Sequence, residues 1–367
     1  MTAPTAIVAV EAYEVLLDDA SPELAAYDYH RYRVVEVRLS NGIVGYSFAG
    51  PEPGRGQELA ALLVGADVTA IRGLLDDGLD RYFGAEHALW DALGKTLNVS
   101  AHRLLGGGNP ILDTYLTLVW PGSPDQSDVD PEAAAADVAA LAVQGHHRFK
   151  VRCWRPSVED DAAVIRAIHR RVPHAVVMVD RTAHISGSTW SYEEALHAGR
   201  VLQKAGAAWL EEPLARDKLS DNARLTAALD IPVVGGEGYT TLIDVGRAAA
   251  ARSYAVLQPD AGVIGGLRRV QEVAAIARGA GLGCIPHGQG GLRLAGWLQV
   301  AAAIGSPLQE LALIPASLDP VTAWSPARGI LGGVDPFRVE AGRIEVPQGP
   351  GLGLAVDPRA LELSRQG

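Results

Sequence analysis

The chain has 367 residues, enough for one large domain or two ordinary ones, and 48% apolar against 20% charged residues is the balance of a globular protein with a full core. Its 32 basic and 43 acidic residues leave a net charge of −11 with no basic run, which argues against a nucleic-acid surface built on clustered phosphate contacts. Two cysteines (Cys153 and Cys284) are too few for a disulfide scaffold, no apolar run reaches the roughly 18 residues of a membrane helix, and Glu11 and Glu14 stand where a leader would be basic, so a cytoplasmic enzyme without membrane partners is expected.

Residues 6–17 (AIVAVEAYEVLL) and 31–40 (RYRVVEVRLS) alternate apolar and polar side chains on either side of a polar loop, Asp18 to Asp28, and predict two strands. The turn signal SNG at 40–42 leads into a third, IVGYSFAG. ELAALLVG and EHALWDALGKTLNV then carry helical spacing, the second ending near the glycines of LLGGGNP. Three strands followed by helices predict a small α+β domain over residues 1–112.

From there strand and helix alternate. Apolar strands are predicted at 114–120, 147–152, 175–180, 207–213, 231–237, 254–260, 282–287 and 308–314, with alanine-rich helices such as DDAAVIRAIHRRV and LRRVQEVAAIARGAG between most of them. A βα unit recurring every 25–30 residues or so is the mark of a parallel α/β fold, and eight of them predict a (β/α)8 barrel over 113–325. A doubly wound sheet is disfavoured because no G-x-G-x-x-G follows the first of these strands. The tail, 326–367, contains VEAGRIEVPQGPGLGLAV, which reads as a hairpin-like segment returning to the N-terminal domain. The alanine-rich helix surfaces suit association into a homo-oligomer.

Six successive strands end in charge or histidine: Lys150 with Arg152, Asp180, Glu211 with Glu212, Glu237, Asp260 and His287. A single acid closing a strand is commonly the N-cap of the next helix. Six in a row, on the barrel face where catalysis is placed, point to a site instead. Asp180, Glu211 and Glu237 come from three consecutive strands; carboxylates brought together repel and require a cation, and hard oxygen ligands select Mg²⁺, Ca²⁺ or Mn²⁺ over zinc. Neighbours on a strand face opposite ways, so only one of Glu211 and Glu212 points inward, and alternation does not say which. Lys150 and Arg152 share a face, with Phe149 and Val151 on the other. Asp260 beside His287 suits a carboxylate that orients an imidazole base. Nothing marks a covalent nucleophile, and Cys153 and Cys284 are expected to be buried as small apolar residues.

In order and spacing these segments resemble the enolase superfamily, specifically its mandelate racemase-like group, over nearly the whole chain. EHALWDALGKTLNVSAHRLLGG is similar to the helix joining cap to barrel, FKVR to the K-x-K strand, and VMVD, WLEEP and GGE to the three metal-ligand strand ends. LQPDAGVIGGL followed by IPH matches the Asp and His strands, and PGLGLAV the return to the cap. The resemblance implies Asp180, Glu211 and Glu237 as Mg²⁺ ligands (Mn²⁺ as an alternative ion), His287 with Asp260 as general base, Lys150 on the substrate carboxylate, and Glu310 as an acid hydrogen-bonded to substrate. The reaction so implied is removal of the proton α to a carboxylate, with the metal stabilising the enediolate; enolase-superfamily sites are a standard illustration of that use of Mg²⁺ with a Lys or His base. The loops Tyr27–Arg33 and Tyr46–Glu52 would confer specificity.

Three departures refine the expectation. The second Lys of the family is Arg152 here, a poor base at its pKa of about 12.5–13.8, which weakens a two-base racemisation and favours single-base elimination from His287, with Arg152 as a clamp on the carboxylate or enediolate. Thr182 stands where Asn is common. The loop RTAHISGSTW is long and holds His184, a candidate acid for a leaving hydroxyl. The expected activity is therefore dehydration of a sugar acid, aldonate or aldarate, to a 2-keto-3-deoxy acid. Racemisation, epimerisation or lactone cycloisomerisation is the alternative, and a catalytically silent barrel the remaining one.

Overall fold

The computed structural model describes residues 5–17, 20–51, 53–76, 79–120, 123, 126–183 and 189–366. Strands β1 (Ile7–Leu16), β2 (Arg31–Leu39) and β3 (Val44–Ser47) form an antiparallel sheet in that order. Both faces of this sheet are buried: alternation puts Val10, Val35 and Val37 in one core and Val15, Tyr32 and Val34 in the other. The β2–β3 turn closes at Asn41–Gly42, where the Asn41 side chain accepts from the Ile43 amide at 3.0 Å and Gly42 takes φ +85°.

The helix Phe83–Leu97 lies across this sheet. Contact is close because β3 offers Gly45, where a Cβ would stand 2.2 Å from the Ala88 carbonyl oxygen. Asp91, in the middle of that helix and buried, accepts from the amides of Tyr46 on β3 and Leu352 in the tail, each at 2.8 Å, and from the Lys95 ammonium at 2.6 Å. One carboxylate thus joins three segments far apart in the chain.

The eight predicted barrel strands are present, β5 to β10 shorter than their patterns and β4 and β11 slightly longer: β4 (Ile111–Val119), β5 (Arg148–Arg152), β6 (Val176–Asp180), β7 (Ala207–Glu211), β8 (Val233–Gly235), β9 (Val256–Leu257), β10 (Gly283–Cys284) and β11 (Leu308–Pro315). Each pairs in parallel with the next from β4 to β10, β11 returns to β4, and a bridge between Gln289 and Leu311 links the last gap, so the fold is a (β/α)8 barrel. The outer helices start where the sequence supplies caps: Ser157, Thr241 and Ser191, the last in a reciprocal capping box with Glu194.

Alternation along the strands decides what fills the barrel. Phe149 and Val151 point out into the helix layer. Tyr115, Met178, Trp209, Val234 and Ile285 point in and form a separate apolar plug, with the Tyr115 and Trp209 rings edge to face at 5.2 Å. Two residues further along β4, β6 and β7 the inward positions are polar (Thr117, Asp180 and Glu211), so the charged layer rests on this plug.

The tail departs in part from expectation. Strands β12 (Arg338–Glu340) and β13 (Arg343–Glu345) do form a hairpin, but β13 pairs with the start of β4 and so joins the barrel. Only the chain beyond it reaches the N-terminal domain, through a bridge from Gly351 to Ser100, the Leu352–Asp91 bond and a bridge from Arg365 to Val15. Among the described residues no helix is long and apolar enough to cross a membrane.

Replacing Asp91 by Ala strands two buried amides and an ammonium, and a loss of about 3 kcal/mol is expected in urea unfolding, with Asp91→Asn losing less because it keeps an acceptor.

Candidate active site

The inward polar residues of β4 to β7 and of β11 and the loops after β8, β9 and β10 meet above the plug. Lys150 is 1% exposed, and its ammonium lies 2.8 Å from Glu211, 2.8 Å from Glu310 and 3.7 Å from Asp180. Arg152, two residues on, pairs with Asp180 and donates to the Thr182 hydroxyl at 3.0 Å, with its guanidinium 4.8 Å over the Trp154 ring. The second oxygen of Glu211 accepts from the Gln258 amide at 3.1 Å.

Sequence alternation left Glu211 and Glu212 undecided; the backbone separates them. Glu211 ends β7 facing Lys150, while Glu212 turns away at φ +42° into a bidentate pair with Arg216, both bonds 2.7 Å, and accepts from the Gly236 amide at 3.0 Å. Arg216 also reaches Glu237 at 3.2 Å.

His287 is held at both ring nitrogens: Nδ1 is 2.8 Å from Asp260 and Nε2 is 3.2 Å from Glu237. Asp260 combines two roles weighed against each other in the sequence. One oxygen faces His287 and the Gln289 amide at 3.0 Å, and the other caps the short helix Ala261–Ile264 through the Gly262 amide at 2.6 Å. Glu310 accepts from the Gly288 amide at 2.7 Å and from Thr117.

Among the described residues six carboxylates (Asp180, Glu211, Glu212, Glu237, Asp260 and Glu310) therefore share this layer with three permanent cations, Lys150, Arg152 and Arg216, and the titratable His287. Burial, together with Asp180, Glu310 and Glu237, pushes Glu211 up to about 8 against the pull of Lys150. Burial likewise raises Glu237, with His287 opposing. Burial alone would lower His287, but Glu310, Glu237 and Asp260 together lift it to about 10. Burial works against Glu310 as well, yet Lys150 and His287 hold it well below the ordinary carboxylate range. Excess negative charge is thus spread over the layer.

A cavity of about 220 Å³ opens onto it, bordered by Lys150, Asp180, Glu237, His287 and Glu310, with Tyr27 and Tyr29 of the first N-terminal loop on the far side. The structure brings together every site residue picked out in the sequence except His184, which lies outside the described residues. Of the second loop, Phe48 to Pro51 border an adjoining space, and Glu52 lies outside the described residues. Cys153 is buried as expected, and Cys284 is only partly so. Among the described residues no three acidic, His or Cys side chains are gathered as a ready ligand set, because Lys150, Arg152, Arg216 and His287 hold the carboxylates.

Sequence reading missed Thr117, Gln258, Arg216, Gln289 and Arg293. Thr117 was accessible from register, two positions past the plug residue Tyr115; the loop residues carried no periodic signal. Thr182, noted only as a departure, sits at φ +39°, an uncommon place for a β-branched residue, with its hydroxyl bonded to Asp180 and Arg152.

Residues 133–360 match the family model described as "Enolase C-terminal domain-like". The chain is 30% identical to arabinonate dehydratase of Saccharolobus solfataricus, across 79% of this chain and 73% of that one. It is 28% identical to D-galactarolactone cycloisomerase of Agrobacterium fabrum, across 91% of each. The crystal structure of D-glucarate dehydratase from Agrobacterium tumefaciens, complexed with magnesium, superposes with a TM-score of 0.82 at 24% identity over the whole of both chains. The chain belongs to the enolase superfamily, in its mandelate racemase-like group, and is an enzyme.

Removing the central cation tests this charge arrangement. Lys150→Met leaves Glu211 and Glu310 buried without their partner, and a loss of about 3–5 kcal/mol is expected in urea unfolding near neutral pH. Carboxyls whose folded pKa lies above the unfolded value favour the fold only when protonated, so the loss should shrink as pH falls from about 8 towards 5.

Proposed function

We propose that the enzyme dehydrates a sugar acid to a 2-keto-3-deoxy acid, as a hydro-lyase. The observation that carries this reading is the presence of one competent base. His287 is oriented by Asp260 and faces the cavity. The other basic groups at the cavity are poor acceptors: Lys150 is paired with two carboxylates and raised well above its ordinary value despite burial, and Arg152 is a guanidinium. A racemase needs an acceptor on each face of the substrate. The similarity to relatives named as sugar-acid dehydratases supports the dehydration reading, and the one named as a cycloisomerase supports the alternative.

Asp180, Glu211 and Glu237 would hold a divalent cation. The donor set fits one: all are hard oxygens from the ends of consecutive strands, Asp180 and Glu211 buried and Glu237 partly so, Asp180 raises the pKa of both glutamates, and the carboxylates outnumber the cations present. Mg²⁺ is the ion of choice, with Mn²⁺ as a substitute. When bound, it supplies the positive charge this layer lacks, stabilising charge on the substrate carboxylate and relieving the hold of Glu237 on His287.

The chain's own groups do the rest. The ammonium of Lys150 and the guanidinium of Arg152 face the bound carboxylate. The Nε2 atom of His287 takes the α-proton, and Asp260 at Nδ1 steadies the imidazolium. As the bond from the β-carbon to its hydroxyl breaks, the imidazolium returns the proton and water leaves. The resulting enol tautomerises, taking a proton at C3, to the 2-keto acid. Tyr27 and Tyr29 narrow the mouth and limit water.

The test is a library of aldonic and aldaric acids incubated with Mg²⁺ in D₂O, followed by proton NMR and a keto-acid assay. Keto acid from a small set of acids, lowered by roughly 10²–10⁴-fold in His287→Ala and stopped by chelator, is expected. Deuterium entering the α-position without keto acid would contradict dehydration and assign an isomerase.

A further inference from the structure

Beside the catalytic cavity lies a second one of about 420 Å³, between the N-terminal domain and the barrel. Gln289 and Arg293 border both. Arg31, Arg33 and Arg293 stand on its wall with Asp28, and Phe48 and Trp297 supply apolar surface.

Arg293 differs from the other cations of the site. Lys150, Arg152 and Arg216 each face buried carboxylates, and Arg31 pairs with Glu14 at 3.4 Å. Among the described residues Arg293 has no carboxylate partner; its guanidinium donates to the Arg31 carbonyl at 3.2 Å and stands 5.6 Å from the centre of the Tyr32 ring. Its place is built by the loop before it. At Gly290 a Cβ would come within 2.7 Å of the Tyr29 hydroxyl, and at Gly291, with φ +58°, within 2.3 Å of that of Tyr32. The Tyr32 hydroxyl donates to the Tyr29 carbonyl at 2.9 Å and accepts from the Leu292 amide at 3.3 Å. Two N-terminal tyrosines thus clamp the loop that aims Arg293.

We propose that Arg293 binds a second anionic group of the substrate, so that the enzyme acts on a sugar diacid whose far carboxylate lies on Arg293 where the two cavities meet. This rests on the dehydratase reading and narrows it from aldonate or aldarate to aldarate. A planar guanidinium lacking an acidic partner matches a carboxylate through two parallel hydrogen bonds, and a substrate ending in a neutral hydroxymethyl group leaves that charge unanswered.

The experiment compares kcat/KM for each aldaric acid with that for the aldonic acid of the same configuration, in the Mg²⁺-loaded enzyme and in Arg293→Met and Arg293→Lys. The diacid should lead by roughly 10- to 100-fold, the scale of a charge-assisted hydrogen bond. Arg293→Met should bring that ratio towards one, chiefly through KM, and Arg293→Lys should keep part of it. Equal use of both acids, a ratio unchanged in Arg293→Met, or preference for a phosphorylated aldonate would overturn the proposal. Should no acid of either class release keto acid or exchange its α-proton, the dehydratase reading fails. Calorimetric binding of the same pairs then decides the subsite: a diacid preference lost in Arg293→Met supports it, and equal binding overturns it.

Discussion

Among the described residues the barrel gathers six carboxylates at its mouth, five buried and Glu237 partly so, against three permanent cations, and most of the architecture around the site answers that constraint. Lys150 is shared by three acids, Arg152 is fixed between Asp180 and Thr182, and Arg216 reaches from Glu212 to Glu237. The apolar plug beneath, with Trp209 and Tyr115 at its centre, keeps water from below and makes each unmatched charge costly. An excess of carboxylate is what the proposed divalent cation would offset.

The two parts of the fold divide the labour. The barrel strands carry the charged layer on rigid, register-fixed positions. The N-terminal domain brings Tyr27, Tyr29 and Tyr32 against the mouth and fixes the loop of Gly290–Arg293 by contact with hydroxyl groups. That domain is held in turn by buried carboxylates: Asp91 ties sheet, helix and tail, and Glu86 accepts from Trp90 and from the Arg268 amide of a barrel helix, both at 2.9 Å. The interface that holds the N-terminal domain therefore also fixes the loop that carries Arg293.

Much of the barrel and its charged layer was legible in the sequence, for a physical reason. A parallel strand is apolar until the point where it leaves the core, so a charge at that point is conspicuous, and Asp180, Glu211, Glu237, Asp260 and His287 announced themselves in that way. Where strand phase alone was ambiguous, as at Glu211 and Glu212, the answer lay in a left-handed backbone turn that no pattern encodes. The tail hairpin was recognised as such, but its partner, the start of β4, is more than 220 residues away in sequence, and local alternation carries no information about partners at that range. Arg293 and Gln289 were missed because they sit in a glycine-rich loop whose path is set by tyrosines from the other domain.

The central claim, that this buried excess of carboxylate is a divalent-cation site coupled to the protonation of His287, is tested most directly by titrating Mg²⁺ calorimetrically at neutral pH in buffers of differing ionisation enthalpy. The account predicts one site whose occupation releases protons, because groups held protonated by uncompensated negative charge give them up when that charge is neutralised, and a large loss of affinity in Asp180→Asn. Binding without proton release, or affinity unchanged in Asp180→Asn, would contradict it.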